Sequence, residues 1–336
     1  MTIKIGINGF GRIGRLIFRA FLEKKPKNLE VIAINDLGSI ESNAHLLNFD
    51  STHGALNIKI KTNKNGFVIG SKQIKILSER MPENLPWKKL GVDVVLECTG
   101  LFTSKEKALK HIKAGAKKVI ISAPAVNADA TIVQGVNNKI LKKNHQVVSN
   151  GSCTTNCLAP VAMILNNSLG IISGYMTTIH SFTGDQKVVD TLHSDLRRAR
   201  TASESLIPTS TGAAKAIGIV VPSLAGKLDG TAIRVPTSNV SLIDFTFTSK
   251  KKTSTEEINN IILKASKTKE MKGILTTNKL PLVSKDFNHN SHSSIFDLTQ
   301  TQVINSNFCR ILSWYDNEWG FSNRMISTAI DIGKYV

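Results

Sequence analysis

Short apolar runs alternate with amphipathic segments through the first 150 residues of the chain. The runs IKIGING, LEVIAIND, VDVVLECTG, KKVIISAP and HQVVSNGS have the length and composition of buried strands. The segments GRLIFRAFLEKK and SKEKALKHIKAGA place apolar residues on one helical face. Strands that alternate with helices in this way predict a doubly wound parallel sheet of the Rossmann type.

The second half of the chain has a different pattern. GIISGYMTTIHSF and the alternating SSIFDLTQTQVI predict strands of a mixed or antiparallel sheet, and STEEINNIILKASK opens with the capping pair Ser254 and Glu257. A chain of 336 residues is longer than one hydrophobic core usually serves. We therefore predict an α/β protein with two domains. The first is a dinucleotide-binding domain at 1–152, on which a C-terminal helix at about 318–336 packs, and the second is an α+β catalytic domain at 153–317.

Composition excludes several classes of protein. The N-terminus lacks a signal-peptide pattern and no run of about 18 uncharged apolar residues occurs, so we expect a soluble cytoplasmic protein with no membrane partner. Four cysteines are too few for a disulfide scaffold, and we expect free thiols. The formal net charge of +18 comes largely from dispersed lysines with few aromatic residues between them. This favours a basic surface that steers small anions, and we do not expect nucleic acid as the main partner.

The segment GFGRIG at 9–14 follows a predicted strand and opens a predicted helix. Its three glycines are Gly9, Gly11 and Gly14. They would let the backbone approach a pyrophosphate at the helix N-terminus, and Asp36 after the second strand can bind both ribose hydroxyls. Asp36 would also repel a 2′-phosphate, and residues 37–45 contain no Lys or Arg to offset that repulsion. The pattern predicts a site for NAD rather than NADP.

The segment SNGSCTTNCLAP, Ser149–Pro160, places Cys153 and Cys157 four residues apart. A zinc site would need further ligands close by, and His180 and His193 are distant single residues, so we predict no metal site. A disulfide conflicts with a reducing compartment. A pair of buried thiols and a nucleophile both remain possible.

A nucleophile is best placed at Cys153, which starts a predicted helix whose apolar face comprises Leu158, Val161, Ala162, Leu165 and Leu169. The positive end of the helix dipole would lower the pKa of a thiol at this position. Cys157 lies one turn further along, where we expect it to pack. His180, at the end of a predicted strand, could serve as the base that such a nucleophile needs, although a single histidine is more often structural.

Six segments together resemble the phosphorylating glyceraldehyde-3-phosphate dehydrogenases. They are INGFGRIGR, SNGSCTTNCLAP, DLRRAR, IPTSTGAAKAIG, RVPTSNVS and SWYDNEWGFSNR, and the resemblance covers essentially the whole chain. It implies oxidation of glyceraldehyde 3-phosphate with NAD and inorganic phosphate to 1,3-bisphosphoglycerate, through a cysteine thiohemiacetal and thioester. It also implies a homotetramer, in which residues 182–205 lie against a neighbouring subunit's cofactor.

The resemblance further implies roles for individual residues. Cys153 is the implied nucleophile and His180 its base. The implied cofactor ligands are Arg12 and Ile13 at the pyrophosphate, Asp36 at the ribose, Arg80 and Ser122 along the cofactor, and Asn317 at the nicotinamide amide. The implied inorganic-phosphate site comprises Ser152, Thr154, Arg198, Thr211 and Gly212. Thr183, Asp185 and Arg234 are implied to bind the phosphate of the substrate itself.

Three alternatives remain open. Erythrose-4-phosphate dehydrogenase is a sister enzyme with the same nucleophile, and DFNHNSHSSIFDLTQTQV has some of its character, whereas Thr211 and Gly212 favour phosphorolysis over hydrolysis. RNA binding is conceivable as a secondary role of the basic surface. A structural scaffold would not need Cys153 together with His180.

Leu192 bears on the choice between NAD and NADP. It replaces a residue that is often Pro in NAD-specific members of the family and Ser in members that use NADP. A leucine supplies no donor for a 2′-phosphate, so NAD is still expected.

Overall fold

The computed structural model describes residues 2–336 and divides into two compact units. The first unit comprises the described residues up to Ile132 together with Asn138–Gly151 and Ser322–Val336. The second comprises Val133–Asn137 and Ser152–Phe321. Each unit contains its own large sheet. No helix within the described range is long and apolar enough to cross a bilayer.

The first unit is built on a nine-stranded sheet. Its elements are β1 (Ile3–Asn8), α1 (Arg12–Lys24), β2 (Leu29–Asn35), α2 (Ile40–Asn48), β3 (Phe49–Asp50), β4 (Gly54–Ala55), β5 (Lys61–Asn63), β6 (Gly66–Ile69), β7 (Lys72–Leu77), α3 (Trp87–Leu90), β8 (Val94–Glu97), α4 (Lys105–Lys113), β9 (Lys118–Ile121), β10 (Ala130–Thr131) and β11 (Val147–Ser149). The strand order is β10-β11-β9-β8-β1-β2-β7-β6-β5. Pairing is parallel from β10 to β7 and antiparallel for β7-β6-β5. The predicted Rossmann-type sheet is confirmed.

The position of β1 in this sheet determines where a ligand can bind. β1 pairs with β2 on one side and with β8 on the other, so the strand order reverses at β1. Ligands of such sheets bind beyond the carboxyl ends of the strands at this point of reversal. β8 and β9 are buried along their whole length, as expected for strands covered on both faces. The glycine segment at 9–14 follows β1 directly.

The second unit contains an eight-stranded mixed sheet. Its elements are α5 (Cys153–Leu169), β12 (Ile171–Ser181), β13 (Ile207–Ser210), α6 (Ile217–Val220), β14 (Leu228–Val235), β15 (Ser241–Ser249), α7 (Thr255–Ser266), β16 (Leu275–Asn278), β17 (Ser294–Asp297), β18 (Gln302–Ile304), β19 (Phe308–Tyr315) and α8 (Trp319–Gly333), whose residues from Ser322 onward belong to the first unit. The order is β13-β14-β12-β15-β19-β17-β16, and β18 pairs with β19. β12-β14 and β16-β17 are parallel and the other pairs antiparallel, so the predicted mixed sheet is confirmed.

Helix α5 anchors the core of the second unit. Its predicted apolar face is fully buried, and its members are Leu158, Val161, Ala162, Leu165 and Leu169. Cys157 is also buried in this core, as expected. Burial of this face fixes the axis of the helix, and with it the position of Cys153 at the first turn.

Candidate active site

The glycine segment at 9–14 has the backbone geometry that a dinucleotide site requires. Gly9 has φ 89°, and a Cβ on it would lie 2.7 Å from the amide nitrogen of Thr99. A Cβ on Gly14 would lie 2.1 Å from the Gly9 carbonyl oxygen. Both positions therefore accept only glycine. A Cβ on Gly11 would meet no atom within 4 Å, so the protein itself leaves space there for a ligand to approach the N-terminus of α1.

Asp36 follows β2 and lies against the glycine segment. Its Oδ2 accepts a hydrogen bond from the Phe10 N–H at 2.8 Å, and its Oδ1 accepts one from the Gly38 N–H at 2.9 Å. The Asn43 Nδ2 also donates to Oδ1, at 3.4 Å. An ionised carboxylate can accept about four hydrogen bonds, so capacity remains for a ribose hydroxyl. The residues present fit the adenosine half of NAD.

The other expected cofactor ligands of the first unit differ in which of their groups are available to bind a cofactor. Arg12 starts α1, but its guanidinium forms an ion pair with Asp50 at 2.5 Å. Its backbone N–H and that of Ile13 are therefore the groups suited to a pyrophosphate. Arg80 is exposed beyond β7, and Ser122 directly follows β9.

Cys153 and His180 lie close together in the second unit. Cys153 is the first residue of α5, and the Ser152 Oγ at the N-cap accepts a hydrogen bond from the Thr155 N–H at 3.0 Å. His180 is the penultimate residue of β12. The Cys153 Sγ lies 3.5 Å from the His180 Nε2. The pair has the separation required for proton transfer between a nucleophile and its base.

The pKa values of this pair are governed by desolvation and by Arg234. Burial, assisted by the positive charge of Arg234, lowers the pKa of His180 to about 3, so the imidazole is neutral at neutral pH. Desolvation raises the pKa of the Cys153 thiol, while the Arg234 charge and hydrogen bonds involving Thr154 act in the opposite sense. The backbone N–H groups at the start of α5 do act to lower the pKa of Cys153, as expected, but desolvation outweighs them and the pKa is raised.

The Nδ1 atom of His180 has two close neighbours that make opposite demands on it. The Arg234 Nη1 lies 2.5 Å away and can only donate a hydrogen bond, whereas the Ser181 carbonyl oxygen lies 2.7 Å away and can only accept one. If Nδ1 accepts from Arg234, the ring proton is on Nε2. If Nδ1 donates to Ser181, Nε2 is free to take the Cys153 proton. Only the second tautomer makes His180 a base toward the thiol.

Arg198 lies in a cluster of polar side chains that contains residues from both of the expected phosphate-binding sites. Its Nη1 donates to the Asp185 Oδ2 at 2.8 Å, and its Nε donates to the Thr209 Oγ1 at 3.0 Å. Thr209 in turn donates to the Asp195 Oδ2 at 2.7 Å. Residues expected at separate phosphate sites, Arg198 and Asp185, are thus ion-paired. An incoming phosphate would compete with Asp185 for the guanidinium.

The remaining expected phosphate ligands occupy nearby loops and the start of α5. The Thr211 Oγ1 accepts a hydrogen bond from the Ala213 N–H at 3.2 Å, and Gly212 is exposed. The Thr183 N–H donates to the Gln186 Oε1 at 3.1 Å. Thr154 is buried and its hydroxyl is engaged by Tyr315, so its backbone N–H is the group better suited to an anion.

Sequence reasoning missed Tyr315 as part of the site. Its hydroxyl lies 2.8 Å from the hydroxyls of both Thr154 and Thr178, and its ring meets the His180 ring edge-on with centroids 5.9 Å apart. Tyr315 thereby connects the start of α5 with the end of β12. It lies in the segment SWYDNEW, of which only Asn317 had been singled out.

A glycine segment with an aspartate after the second strand, and a cysteine beside a histidine, are together typical of an oxidoreductase that combines a nicotinamide dinucleotide with a cysteine nucleophile. The family profile "Glyceraldehyde 3-phosphate dehydrogenase, NAD binding domain" matches residues 3–105, and "Glyceraldehyde 3-phosphate dehydrogenase, C-terminal domain" matches residues 152–317. The chain belongs to the glyceraldehyde-3-phosphate dehydrogenase family.

Similar curated proteins extend over the full length of the chain. The glyceraldehyde-3-phosphate dehydrogenase of Xanthobacter flavus is 58% identical over 334 residues, which is 99% of each chain. Those of Zymomonas mobilis and Geobacillus stearothermophilus are 55% and 53% identical, again over 99% of each chain. The chain is an NAD-dependent oxidoreductase of glycolysis that catalyses the oxidative phosphorylation of glyceraldehyde 3-phosphate, and the erythrose-4-phosphate alternative is not favoured.

Proposed function

We propose that Cys153 and His180 are the catalytic pair of this oxidative phosphorylation. The His180 Nε2 takes the thiol proton, and the Cys153 thiolate adds to the aldehyde carbon of glyceraldehyde 3-phosphate. The imidazolium returns its proton to the new alkoxide, which gives a thiohemiacetal. His180 accepts that proton again as the carbon loses a hydride, and a thioester forms on Cys153. NAD, when bound, accepts the hydride. Inorganic phosphate then attacks the thioester carbon, the Cys153 sulfur leaves and takes back the proton held by His180, and 1,3-bisphosphoglycerate is released.

The single observation that supports this proposal most directly is the 3.5 Å separation between the Cys153 Sγ and the His180 Nε2. The lowered pKa of His180 keeps the imidazole neutral at neutral pH, so that a ring nitrogen is available to accept, but it also makes His180 a weak base in the protein without substrate, since an effective general base has a pKa near the operating pH. Once protonated, the imidazolium can stabilise the oxyanion of each tetrahedral stage.

We assign the substrate's phosphate to Arg234 and Thr183 as donors, with Asp185 acting through its ion pair with Arg198, since an ionised carboxylate cannot donate to a phosphate. A phosphate that binds Arg234 would draw its guanidinium away from the His180 Nδ1. Nδ1 could then donate to the Ser181 carbonyl oxygen, and Nε2 would become the acceptor for the thiol proton. Substrate binding would in this way select the tautomer that activates Cys153.

We assign inorganic phosphate to Arg198 with Ser152, Thr154, Thr211 and Gly212. Arg198 is half-buried and supplies a charged donor, and α5 begins at Cys153, directly after Ser152. The Asp185 carboxylate, which pairs with Arg198, would be displaced by the incoming anion. The adenosine half of NAD is assigned to the glycine segment and Asp36, with Arg12, Ile13, Arg80 and Ser122 along it. Asn317 is assigned to the nicotinamide amide.

The requirement for phosphate tests the proposed reaction. Oxidation of glyceraldehyde 3-phosphate, followed by the absorbance of reduced cofactor, should need inorganic phosphate or arsenate for sustained turnover. Without them, only a single burst should form, because the thioester on Cys153 is not resolved. Sustained turnover in phosphate-free buffer, with erythrose 4-phosphate preferred as substrate, would contradict the proposal and favour the sister enzyme.

We further propose that the enzyme is a homotetramer in which residues 182–205 form part of a subunit interface. Four apolar side chains of this segment are strongly exposed in the single chain, namely Val188, Val189, Leu192 and Leu196. Several exposed apolar side chains within one short segment favour a surface that another protein covers. Sedimentation should give a mass near four times the 36.6 kDa of one chain. A monomer at micromolar concentration would contradict this assembly.

We propose the cytoplasm as the compartment of the enzyme. The nucleophile must be a reduced thiol, and reducing compartments maintain this state. All four cysteines of the chain are free in the structure. Fractionation of cells should recover the activity with cytoplasmic markers, and recovery with an oxidising compartment would contradict this assignment.

A further inference from the structure

Asn317 lies in the short turn between β19 and α8, and its neighbour Asp316 holds the backbone of that turn. The Asp316 Oδ1 accepts hydrogen bonds from the N–H groups of Glu318 and Trp319 at 3.0 and 2.7 Å. Its Oδ2 accepts from the Asn239 Nδ2 at 2.9 Å and from the His289 N–H at 2.7 Å. Asp316 is buried, so these bonds are protected from water. The position of the Asn317 backbone is therefore fixed.

Two serine hydroxyls hold the side-chain amide of Asn317. The Oγ atoms of Ser181, the last residue of β12, and of Ser241, the first residue of β15, each donate to the Asn317 Oδ1 at 2.9 Å. Both serines are buried. The Ser181 N–H donates to the Ser241 Oγ at 3.0 Å, so this Oγ already accepts one bond and directs its own proton to Asn317.

This pattern determines which way the amide faces. If the amide were reversed, the protons of both serine hydroxyls would lose the Oδ1 atom that accepts them at a buried position. Leaving buried donors without acceptors is unfavourable. Oδ1 therefore faces the serines and Nδ2 faces away from them.

The Nδ2 atom of Asn317 is an open donor. Within residues 2–336 the amide makes only the two bonds at Oδ1, and Nδ2 has no protein acceptor, although Asn317 is only 5% exposed. Nδ2 is not one of the fully buried polar atoms that lack a partner, so it lies on the part of the side chain that a ligand can reach. An open donor on a side chain whose other end is held by two bonds points to an acceptor supplied by a ligand.

We propose that Ser181 and Ser241 are positioning residues for the cofactor, which hold the Asn317 amide so that its Nδ2 donates to the carbonyl oxygen on the nicotinamide ring. The inference rests on the proposed function, since it requires the nicotinamide at Asn317. The site then selects a ring substituent that carries an acceptor carbonyl. The Ser181 carbonyl oxygen also lies 2.7 Å from the His180 Nδ1. Ser181 therefore orients two side chains, those of His180 and Asn317.

Binding measurements with truncated and altered cofactors test this role. Calorimetric affinities for NAD, for its 3-acetylpyridine analogue and for ADP-ribose are compared in wild type, Ser181→Ala and Ser241→Ala. ADP-ribose lacks the pyridine ring, and the acetylpyridine analogue keeps the carbonyl but lacks the amide N–H groups. We expect NAD and the acetylpyridine analogue to bind roughly threefold to tenfold more weakly to both variants, the value of one hydrogen bond. ADP-ribose should bind unchanged, and Ser241→Thr, which keeps the hydroxyl, should restore NAD affinity.

A matched control is available on the same strand. Ser249 ends β15, is equally buried, and donates its hydroxyl to the Lys251 carbonyl oxygen at 2.7 Å. Ser249→Ala should leave all three affinities unchanged. Equal weakening of ADP-ribose and NAD in the Ser181 and Ser241 variants, or unchanged NAD affinity in both, would overturn the positioning role alone. Failure of the wild-type protein to bind NAD at all would overturn the proposed function and this inference with it.

Discussion

At the scale of single residues, the proposed catalytic pair of Cys153 and His180 owes its pKa values to its surroundings. Desolvation disfavours the charged forms of both His180 and Cys153, and Arg234 places a positive charge beside both side chains. The result is a neutral thiol beside a neutral imidazole. The reactivity of Cys153 then depends on proton transfer to His180 at the moment of attack. Cys157, in the same helix, has no such partner among residues 2–336, so the reactivities of the two thiols can be compared.

We predict that Cys153→Ser abolishes aldehyde oxidation and leaves NAD affinity nearly intact, because an alcohol gives up its proton to His180 far less readily than a thiol and is the weaker nucleophile. In the wild type, iodoacetamide should label Cys153 before Cys157. Cys157 is fully buried, and its pKa is raised to about 12, chiefly by desolvation. Peptide mapping after partial alkylation measures the order. Earlier labelling of Cys157, or near-normal turnover by the serine variant, would contradict the assignment.

Arg234→Leu should shift two titrations in the same direction. The Arg234 charge lowers the pKa of both His180 and Cys153, so its removal should raise both values. The rate of Cys153 alkylation should therefore rise at a higher pH than in wild type, and the His180 ring should titrate above its present pKa of about 3. The apparent KM for glyceraldehyde 3-phosphate should increase as well. An alkylation profile that does not move would show that the guanidinium has no electrostatic effect on the thiol.

Asp36→Ala should weaken NAD binding and improve the relative use of NADP. The substitution removes an acceptor for the ribose and a charge that opposes a 2′-phosphate, and it also frees the Phe10 N–H that holds the glycine segment. Asp36→Asn separates these effects, because it keeps an acceptor oxygen while it removes the charge. Dissociation constants for both cofactors provide the measurement. Equal use of NAD and NADP by the native enzyme would refute the charge argument.

At the scale of elements, helix α5 connects packing with chemistry. Its buried face fixes the helix in the core, and the Ser152 Oγ at its N-cap accepts the Thr155 N–H. Ser152→Ala should destabilise the protein by about 1 kcal/mol, the usual cost of losing a cap, whereas Ser152→Asp should retain most of the stability. Denaturant unfolding of the three proteins measures this. Equal stability of the alanine variant and the wild type would show that the cap contributes nothing.

The elements also show how far a sequence can predict a site. The alternation of strands and helices was sufficient to predict the Rossmann-type sheet, and the spacing of apolar residues in α5 was sufficient to predict its buried face. The SSIFDLTQTQVI pattern, in contrast, divides between β17 and β18, because the Asp297 side chain accepts hydrogen bonds from Thr299 and stabilises a turn.

Contacts between distant elements could not be predicted. Tyr315 reaches Thr154 across 161 positions of sequence, and Ser241 reaches Asn317 across 76. Nothing local in the sequence signals either bond, because strand order and register determine both. The desolvation that raises the Cys153 pKa was missed for the same reason, since it depends on which elements cover the thiol.

At the scale of the whole molecule, the net charge of +18 acts on every anion that the reaction uses. A positive field raises the encounter rate of anionic ligands, and salt screens it with a Debye length of about 10 Å at 0.1 M. We predict that alkylation of Cys153 by iodoacetate, an anion, slows as ionic strength rises, whereas alkylation by neutral iodoacetamide does not. The two reagents attack the same sulfur, so the ratio of their rates isolates the electrostatic part. Arg234→Leu separates the local charge from the field of the dispersed lysines, because salt dependence should persist in that variant if the lysines contribute. Identical salt dependence of both reagents would show that the basic surface does not steer anions to the site.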